Sequence, residues 1–194
     1  MSLLHVNHLE IHHPVPGDTV VSDFLAAQGD ADPAIPYVIG IIWDKSGKVV
    51  AVGTTLANPP HWLITFEGFK PGHGYSLEVI DVTTKQRLAC IGPFDAKTFG
   101  SHGPPVTYPT KHLQVFSNMS AYGSSPGTEP VEGQVTGPNG NTAWVGQSQG
   151  PPNTQYWIVR FSGIPLNANF TSIFTVRETI TTGNKTDVTE LKVV

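Results

Sequence analysis

The chain has 194 residues, of which 39% are hydrophobic and only 13% are charged, and its net charge is −4. This length allows one ordinary domain or two small ones, each with a buried core. The low share of charged residues, with 20 glycines and 17 prolines, favours strands and turns over helices. A negative chain without a basic stripe argues against nucleic-acid binding.

The beginning of the chain, residues 1–8, lacks a basic region followed by 7–15 apolar residues, so it predicts no secretory signal. No stretch of the sequence approaches the roughly 20 apolar residues that a membrane helix needs. We therefore expect no membrane insertion.

Histidines cluster at positions 5, 8, 12 and 13. On a strand, His8 and His12 would lie roughly 13 Å apart, too far to bind one ion together. Solvated histidines are therefore expected in place of a metal site.

Asp30 and Asp32 lie in a predicted long loop, residues 22–37, and are spaced as in some calcium loops. Calcium needs six or more oxygen ligands, and no bidentate glutamate follows at the required spacing. The two aspartates remain weak calcium candidates, and we expect no cofactor.

In the segment 38–43, the side chains are expected to point alternately to the two faces of a strand. If Val38 and Ile42 face the core, then Ile39, Ile41 and Trp43 point outward. Leaving three such side chains in water costs about 1.5–3 kcal/mol each. Something is therefore expected to cover them.

The apolar row can be buried in two ways. It can be covered from within the chain, by the loop at 22–37 or by packing between domains. Alternatively it is a contact for a partner or for a second copy, since exposed apolar patches usually mark interfaces.

Further strands are predicted by a period of two along the chain, which places one set of large side chains inward. Glycine at position 47 predicts a hairpin turn at 44–47, and a second such turn is predicted at 137–140. The predicted core consists of Trp62, Ile64, Phe66, Trp157, Val159 and Phe161.

The two halves of the chain resemble each other at three places. Residues 8–11 match 112–115 at an offset of 104, residues 38–53 match 131–146 at 93, and residues 62–69 match 157–164 at 95. The offsets predict eleven extra residues before Val38 in the first copy. We expect a first domain at 1–97, a stiff Gly/Pro-rich linker at 98–110 and a second domain at 111–194.

In the second half, Trp144 is predicted to point outward, and with Tyr122 it is a candidate for sugar stacking or for a second protein contact. Ser148 lies in a G-x-S-x-G pattern, but Pro151 and Pro152 follow it. Since that motif needs a helix after the serine, we predict no hydrolase and no enzyme. Cys90, the single cysteine, excludes an internal disulfide and is expected to be a small buried hydrophobe.

The motifs Trp62-x-x-x-Phe66-x-Gly68 and Pro71-Gly72-x-Gly74-Tyr75 resemble those of bacterial immunoglobulin-like (Big-type) domains. The second half keeps Trp157-x-x-x-Phe161-x-Gly163 but lacks the Pro-Gly-x-Gly-Tyr turn. The resemblance implies an all-β chain of two tandem immunoglobulin-like antiparallel β-sandwich domains. Members of that family are typically non-enzymatic adhesin stalks, surface-layer pieces, enzyme accessory modules or phage decorations.

The leading hypothesis is a non-enzymatic structural or decorating subunit of a larger surface assembly, on a virion or a cell surface. It would act through protein partners or self-association, with Ile39, Ile41 and Trp43 at the contact. The alternative is a carbohydrate-binding or adhesin module that presents exposed Trp and Tyr side chains to a polysaccharide.

Overall fold

The computed structural model describes residues 8–55, 61–98, 106–111, 113–124, 131–137, 142–147, 156–167, 169, 171–178 and 185–194. These residues form fifteen strands and contain no helix. The chain divides into two compact units, residues 1–98 and 99–194. The predicted turn at 44–47 is present, whereas most of the one predicted at 137–140 lies outside the described residues.

The first unit is a sandwich of two sheets. One sheet has three strands in the order β1-β3-β6, and the other has five in the order β2-β8-β7-β4-β5. All pairs are antiparallel except β2 with β8, which is parallel. The strands are β1 Leu9–His13, β2 Thr19–Val21, β3 Phe24–Ala31, β4 Val38–Trp43, β5 Val49–Thr54, β6 His61–Glu67, β7 Gly72–Asp81 and β8 Arg87–Lys97.

The second unit repeats this arrangement. Its described sheets have the orders β10-β13 and β12-β11-β14-β15-β9, and β9 runs parallel to β15. The prediction of an all-β immunoglobulin-like sandwich is therefore confirmed, with one parallel pair in each unit added to an otherwise antiparallel design. The strands are β9 Gln114–Val115, β10 Met119–Ser124, β11 Val131–Thr136, β12 Thr142–Gln147, β13 Tyr156–Phe161, β14 Ser172–Glu178 and β15 Lys185–Val193.

Each core is built where a glycine faces large side chains of the opposite sheet. A Cβ atom added at Gly40 on β4 would lie 2.7 Å from Cζ of Phe66 and 2.9 Å from Cδ1 of Ile64. On β11, a Cβ at Gly133 would lie 3.0 Å from Cγ1 of Val159. These glycines let the aromatic strand approach closely. All six predicted core residues, Trp62, Ile64, Phe66, Trp157, Val159 and Phe161, are buried.

Tyr75 closes one corner of the first unit. Its hydroxyl donates a 2.8 Å hydrogen bond to the carbonyl of Lys70, five residues upstream, and its ring meets Phe69 edge-on at 5.6 Å. Burial raises the pKa of the Tyr75 hydroxyl. This is the tyrosine corner of immunoglobulin-like sandwiches, and it anchors the segment that enters β7.

The predicted loop at 22–37 is wrong. Residues 24–31 form β3, which pairs with β1 on one side and with β6 on the other. β3 is buried on both of its faces, so it does not show the alternation that marks a half-exposed strand. Gly29, which resembles a loop glycine, is required because a side chain there would collide with the carbonyl of Glu10.

The match of residues 8–11 with 112–115 is also wrong. β1 belongs to the three-stranded sheet, whereas Gln114–Val115 pairs with β15 in a five-stranded sheet. The position of β1 is taken in the second unit by Tyr108, which bridges Tyr122 on β10. Six residues separate β3 from β4, and six separate β10 from β11, so the first copy has no eleven-residue insertion.

We predict that Tyr75→Phe lowers the free energy of unfolding by about 0.5–1.5 kcal/mol, because it removes the hydrogen bond that the Tyr75 hydroxyl donates to the carbonyl of Lys70. Tyr37→Phe is the matched control. It removes the same hydroxyl from a side chain that is exposed. Urea denaturation followed by tryptophan fluorescence measures both. Equal effects of the two variants would contradict the role of the corner.

Candidate functional site

The candidate site is the outer face of the five-stranded sheet in the first unit. Along β4, Val38, Gly40 and Ile42 are buried, while Ile39, Ile41 and Trp43 are partly exposed. The pairing register places neighbours beside them on β5, β7 and β8. We call the following set the outer face: Ile39, Ile41, Trp43, Val49, Val52, Ser76, Glu78, Ile80 and Cys90.

The outer face is largely apolar and open. Val52, directly opposite Ile41, is 60% exposed, and Val49, opposite Trp43, is 40% exposed. Tyr37, immediately before β4, is 60% exposed as well. Half of the six exposed large hydrophobic residues within the described ranges therefore lie on or beside this one surface.

A buried carboxylate lies in the middle of this face. The side chain of Glu78, opposite Ile41 on β7, is only 8% exposed. It accepts a 2.8 Å hydrogen bond from Nε1 of Trp43 and pairs with Nε of Arg87. The hydrogen bond to Glu78 raises the pKa of the Arg87 guanidinium. A buried carboxylate is tolerated only when such donors satisfy it, so Glu78 fixes the indole of Trp43 in place.

The outward positions of β11, the counterpart of β4 in the second unit, are polar, although Ile173 on β14, opposite Thr136, is 36% exposed on the same face. Glu132, Gln134 and Thr136 take the positions of the apolar row on β11, and all three are partly exposed. Next to Gln134 on β14 lies Thr175, whose hydroxyl donates a 2.7 Å hydrogen bond to Asp187. The same sheet position therefore carries opposite chemistry in the two units.

Cys90 is exposed, so the prediction of a buried hydrophobe is wrong. It pairs with Glu78 across β7 and β8 and therefore points to the outer face. Its neighbour Ile91 pairs with the buried Leu77 and points inward. The apolar segment 88–91 did not reveal which of its members faces out.

The sugar-stacking assignment of Tyr122 is wrong. This side chain is 1% exposed and stacks on Tyr108 at a centroid distance of 6.1 Å, so no ligand reaches its ring. Trp144 lies on β12, but its side chain is outside the described residues. Ser148 of the G-x-S-x-G pattern also lies outside them.

His12 and His13 are buried, so the expectation of solvated histidines is wrong for these two, whereas His8 is exposed and His5 lies outside the described residues. A β-bulge between Ile11 and His13 disturbs the alternation of β1. Nε2 of His12 lies 3.4 Å from a carboxylate oxygen of Glu10, and Nδ1 of His13 lies 3.4 Å from Asp18. These residues form local acid–base pairs on the edge of the three-stranded sheet.

The calcium candidates Asp30 and Asp32 do not converge on one site. Asp30 faces Nδ1 of His61 at 3.4 Å, and Asp32 accepts a 2.9 Å hydrogen bond from the backbone N–H of Ala34. Within the described part of the chain, no three His, Cys, Asp or Glu side chains are grouped so that they could hold a metal ion.

The described residues include no helix long and apolar enough to cross a membrane.

No model of a known protein family matches the sequence, and no curated protein matches it. Solved structures resemble it in fold. "Biofilm associated protein - BSP domain" matches 96% of this chain at 10% identity and a TM-score of 0.46; the match spans 29% of that protein. The DIP-gamma fragment IG1+IG2 matches 97% at 10% identity and a TM-score of 0.27, over 98% of its own length. Salmonella alpha-2-macroglobulin reacted with methylamine matches 95% of this chain at 8% identity and a TM-score of 0.36. The match covers 14% of that protein's own length. At these values the likeness carries no inference about partners or ligands.

We predict that Trp43→Phe destabilises the protein by about 1–3 kcal/mol, because the buried carboxylate of Glu78 loses a donor. In a Glu78→Leu background the same replacement is expected to cost less than about 0.5 kcal/mol, since no acceptor remains to be left unpaired. Urea denaturation of the four members of this double-mutant cycle tests the coupling. Additive effects would show that the hydrogen bond is energetically silent.

His12 is predicted to make stability depend on pH. Burial lowers the pKa of His12 and outweighs the opposing pull of Asp30 and Glu10. As the pH falls through about 6.5, the unfolded chain gains a proton at this position before the folded chain does, so stability decreases. The loss between about pH 7.5 and about pH 5.5 is expected to be smaller in His12→Gln than in the parent protein.

The matched control is His8→Gln, because the His8 side chain is exposed and lies near the same carboxylate of Glu10. It is expected to keep the pH dependence of the parent. If His12→Gln and the parent lose stability in parallel, His12 is not the group responsible.

Proposed function

We propose that this chain is a non-enzymatic structural or decorating subunit of a larger surface assembly, a virion or a cell-surface layer. The outer face of the first unit is its contact with the neighbouring protein. The observation that carries the proposal is the contrast between two equivalent strands, whose outward residues are Ile39, Ile41 and Trp43 on β4 but Glu132, Gln134 and Thr136 on β11.

The contrast is informative because the two faces share one scaffold. Both five-stranded sheets have the same strand order, so an outward position on β4 and its counterpart on β11 meet the same structural demands. Polar residues satisfy those demands in the second unit. The apolar residues at the same positions in the first unit are only partly covered within the chain, and leaving the rest of their apolar surface in water is unfavourable. Burial against another protein removes that cost.

In this proposal the two units are copies of one Big-type domain, the first at 1–97, and they are joined by a linker that begins at residue 98. The shared strand order supports the copying. Tyr108 is buried and bridges Tyr122, which favours an earlier start for the second domain than the predicted residue 111, so that the linker ends before Tyr108.

The polysaccharide alternative gains no support from the described side chains. Tyr122 is buried, and Trp43 is only partly exposed, with its indole held by Glu78. The proposal therefore names protein partners, or further copies of this chain, as the ligands of the outer face.

We predict that the full chain associates in a concentration-dependent manner in sedimentation velocity. Ile41→Ser is expected to weaken this association at least about ten-fold, because it places a polar group in the centre of the apolar row. Gln134→Ser, at the same position of the second unit, is the matched control and is expected to leave association unchanged. A strictly monomeric parent, or equal behaviour of the two variants, would contradict the proposal.

A further inference from the structure

β5 is the last strand of the five-stranded sheet of the first unit, next to β4. Among the described residues, its far side has no strand partner, apart from one bridge beyond its end between Thr55 and Ile64. An edge strand of this kind presents backbone N–H and C=O groups that a further strand can pair with.

The hydrogen-bond pattern identifies which backbone groups face the open side. The N–H of Thr55 donates to the carbonyl of Val38, so this pair faces inward. Because antiparallel pairs alternate between bonded and non-bonded, Gly53 and Ala51 also bond β4, while the N–H and C=O of Val52 point away from it. The open groups of Val52 lie next to its exposed side chain.

The other edges of this unit are protected, whereas β5 is not. β2 has only three residues, β1 is interrupted by a bulge and carries the charged Glu10, and β6 ends in the exposed Glu67. Short length, bulges and charges are the usual defences against edge pairing. The six residues of β5, Val-Val-Ala-Val-Gly-Thr, contain neither a charge nor a proline.

We propose that β5 pairs in antiparallel fashion with β5 of a second copy of this chain, joining two five-stranded sheets into one of ten strands. The proposal rests on the proposed function and specifies its first partner. The open backbone groups can be paired by an extended strand. A second copy offers an uncharged strand whose donors and acceptors are complementary to its own across a two-fold axis.

This pairing explains the position of the apolar row. A two-fold axis perpendicular to the joined sheet keeps both outer faces on the same side. The row formed by Ile41 and Val52 then continues into the same two side chains of the second copy. Two narrow apolar faces become one wide surface, flanked on both sides by Glu78.

The test is sedimentation equilibrium of the full chain with Val52→Lys and Val52→Pro. Lysine introduces like charges at the junction, and proline removes an N–H that β4 does not use. Each variant is expected to raise the dimer dissociation constant at least ten-fold while it keeps the melting temperature close to that of the parent. Leu166→Lys is the matched control, because Leu166 is exposed in the second unit, and it is expected to leave the constant unchanged.

Amide hydrogen exchange provides a second readout, which remains valid if the proline variant fails to fold. In the parent protein, protection of the Val52 amide is expected to increase with protein concentration. The amide of Ala51, which bonds β4, is expected to be protected at every concentration.

Each outcome decides the matter. A concentration-independent Val52 amide, or a dimer that persists in Val52→Lys, overturns edge pairing. If Ile41→Ser still abolishes association in that case, the outer face remains a contact and the proposed function stands. A parent protein that is monomeric at all concentrations overturns both.

Discussion

The close approach of β4 to β6 at Gly40 is the constraint on which the first unit depends. With no side chain at this position, Phe66 and Ile64 reach the backbone of β4, and a Cβ atom there would lie within 3 Å of both. The glycine therefore fixes which side of β4 faces the core. Since side chains alternate along a strand, it also forces Ile39, Ile41 and Trp43 outward, and the character of the outer face is set by the same residue that permits the core.

Alternation was the part of the sequence that carried the most information. It predicted β4, β6 and β13 and the inward position of Trp62 and Trp157, because each of these strands has one face in the core and one face directed away from it. It failed for β3, which is buried on both faces along almost its whole length. A pattern that depends on contrast between two faces vanishes when both faces are covered. The false alignment of residues 8–11 with 112–115 reinforced that failure, because its offset predicted an insertion before Val38, in the segment that contains β3.

The chemistry of the outer face was less accessible to sequence reasoning than its apolar row. Trp43 and Glu78 are 35 residues apart, and only the register between β4 and β7 brings the indole N–H to the carboxylate. The same register exposes Cys90 and buries Glu78, the reverse of what their residue types suggest. No local pattern encodes such an exchange, because it depends on which residues of two other strands surround each side chain. The comparison between the two halves nevertheless identified the row, since Ile39, Ile41 and Trp43 differ from Glu132, Gln134 and Thr136 at positions that do not contact the core.

An apolar face and an unguarded edge reinforce each other when they adjoin, as they do at Val52. Edge pairing alone would join two chains through a few backbone hydrogen bonds, each of which exchanges a bond to water for a bond to protein and gains little. Apolar contact alone would gain free energy without fixing an orientation, because the hydrophobic effect is not directional. Together, the backbone of Val52 sets register and direction while Ile41 and Val52 contribute buried area. A polar outer face, such as the one bearing Gln134 and Thr175, would leave edge pairing without this gain. In the proposed assembly, the chemical difference between the outward residues of β4 and β11 therefore favours association through the first unit.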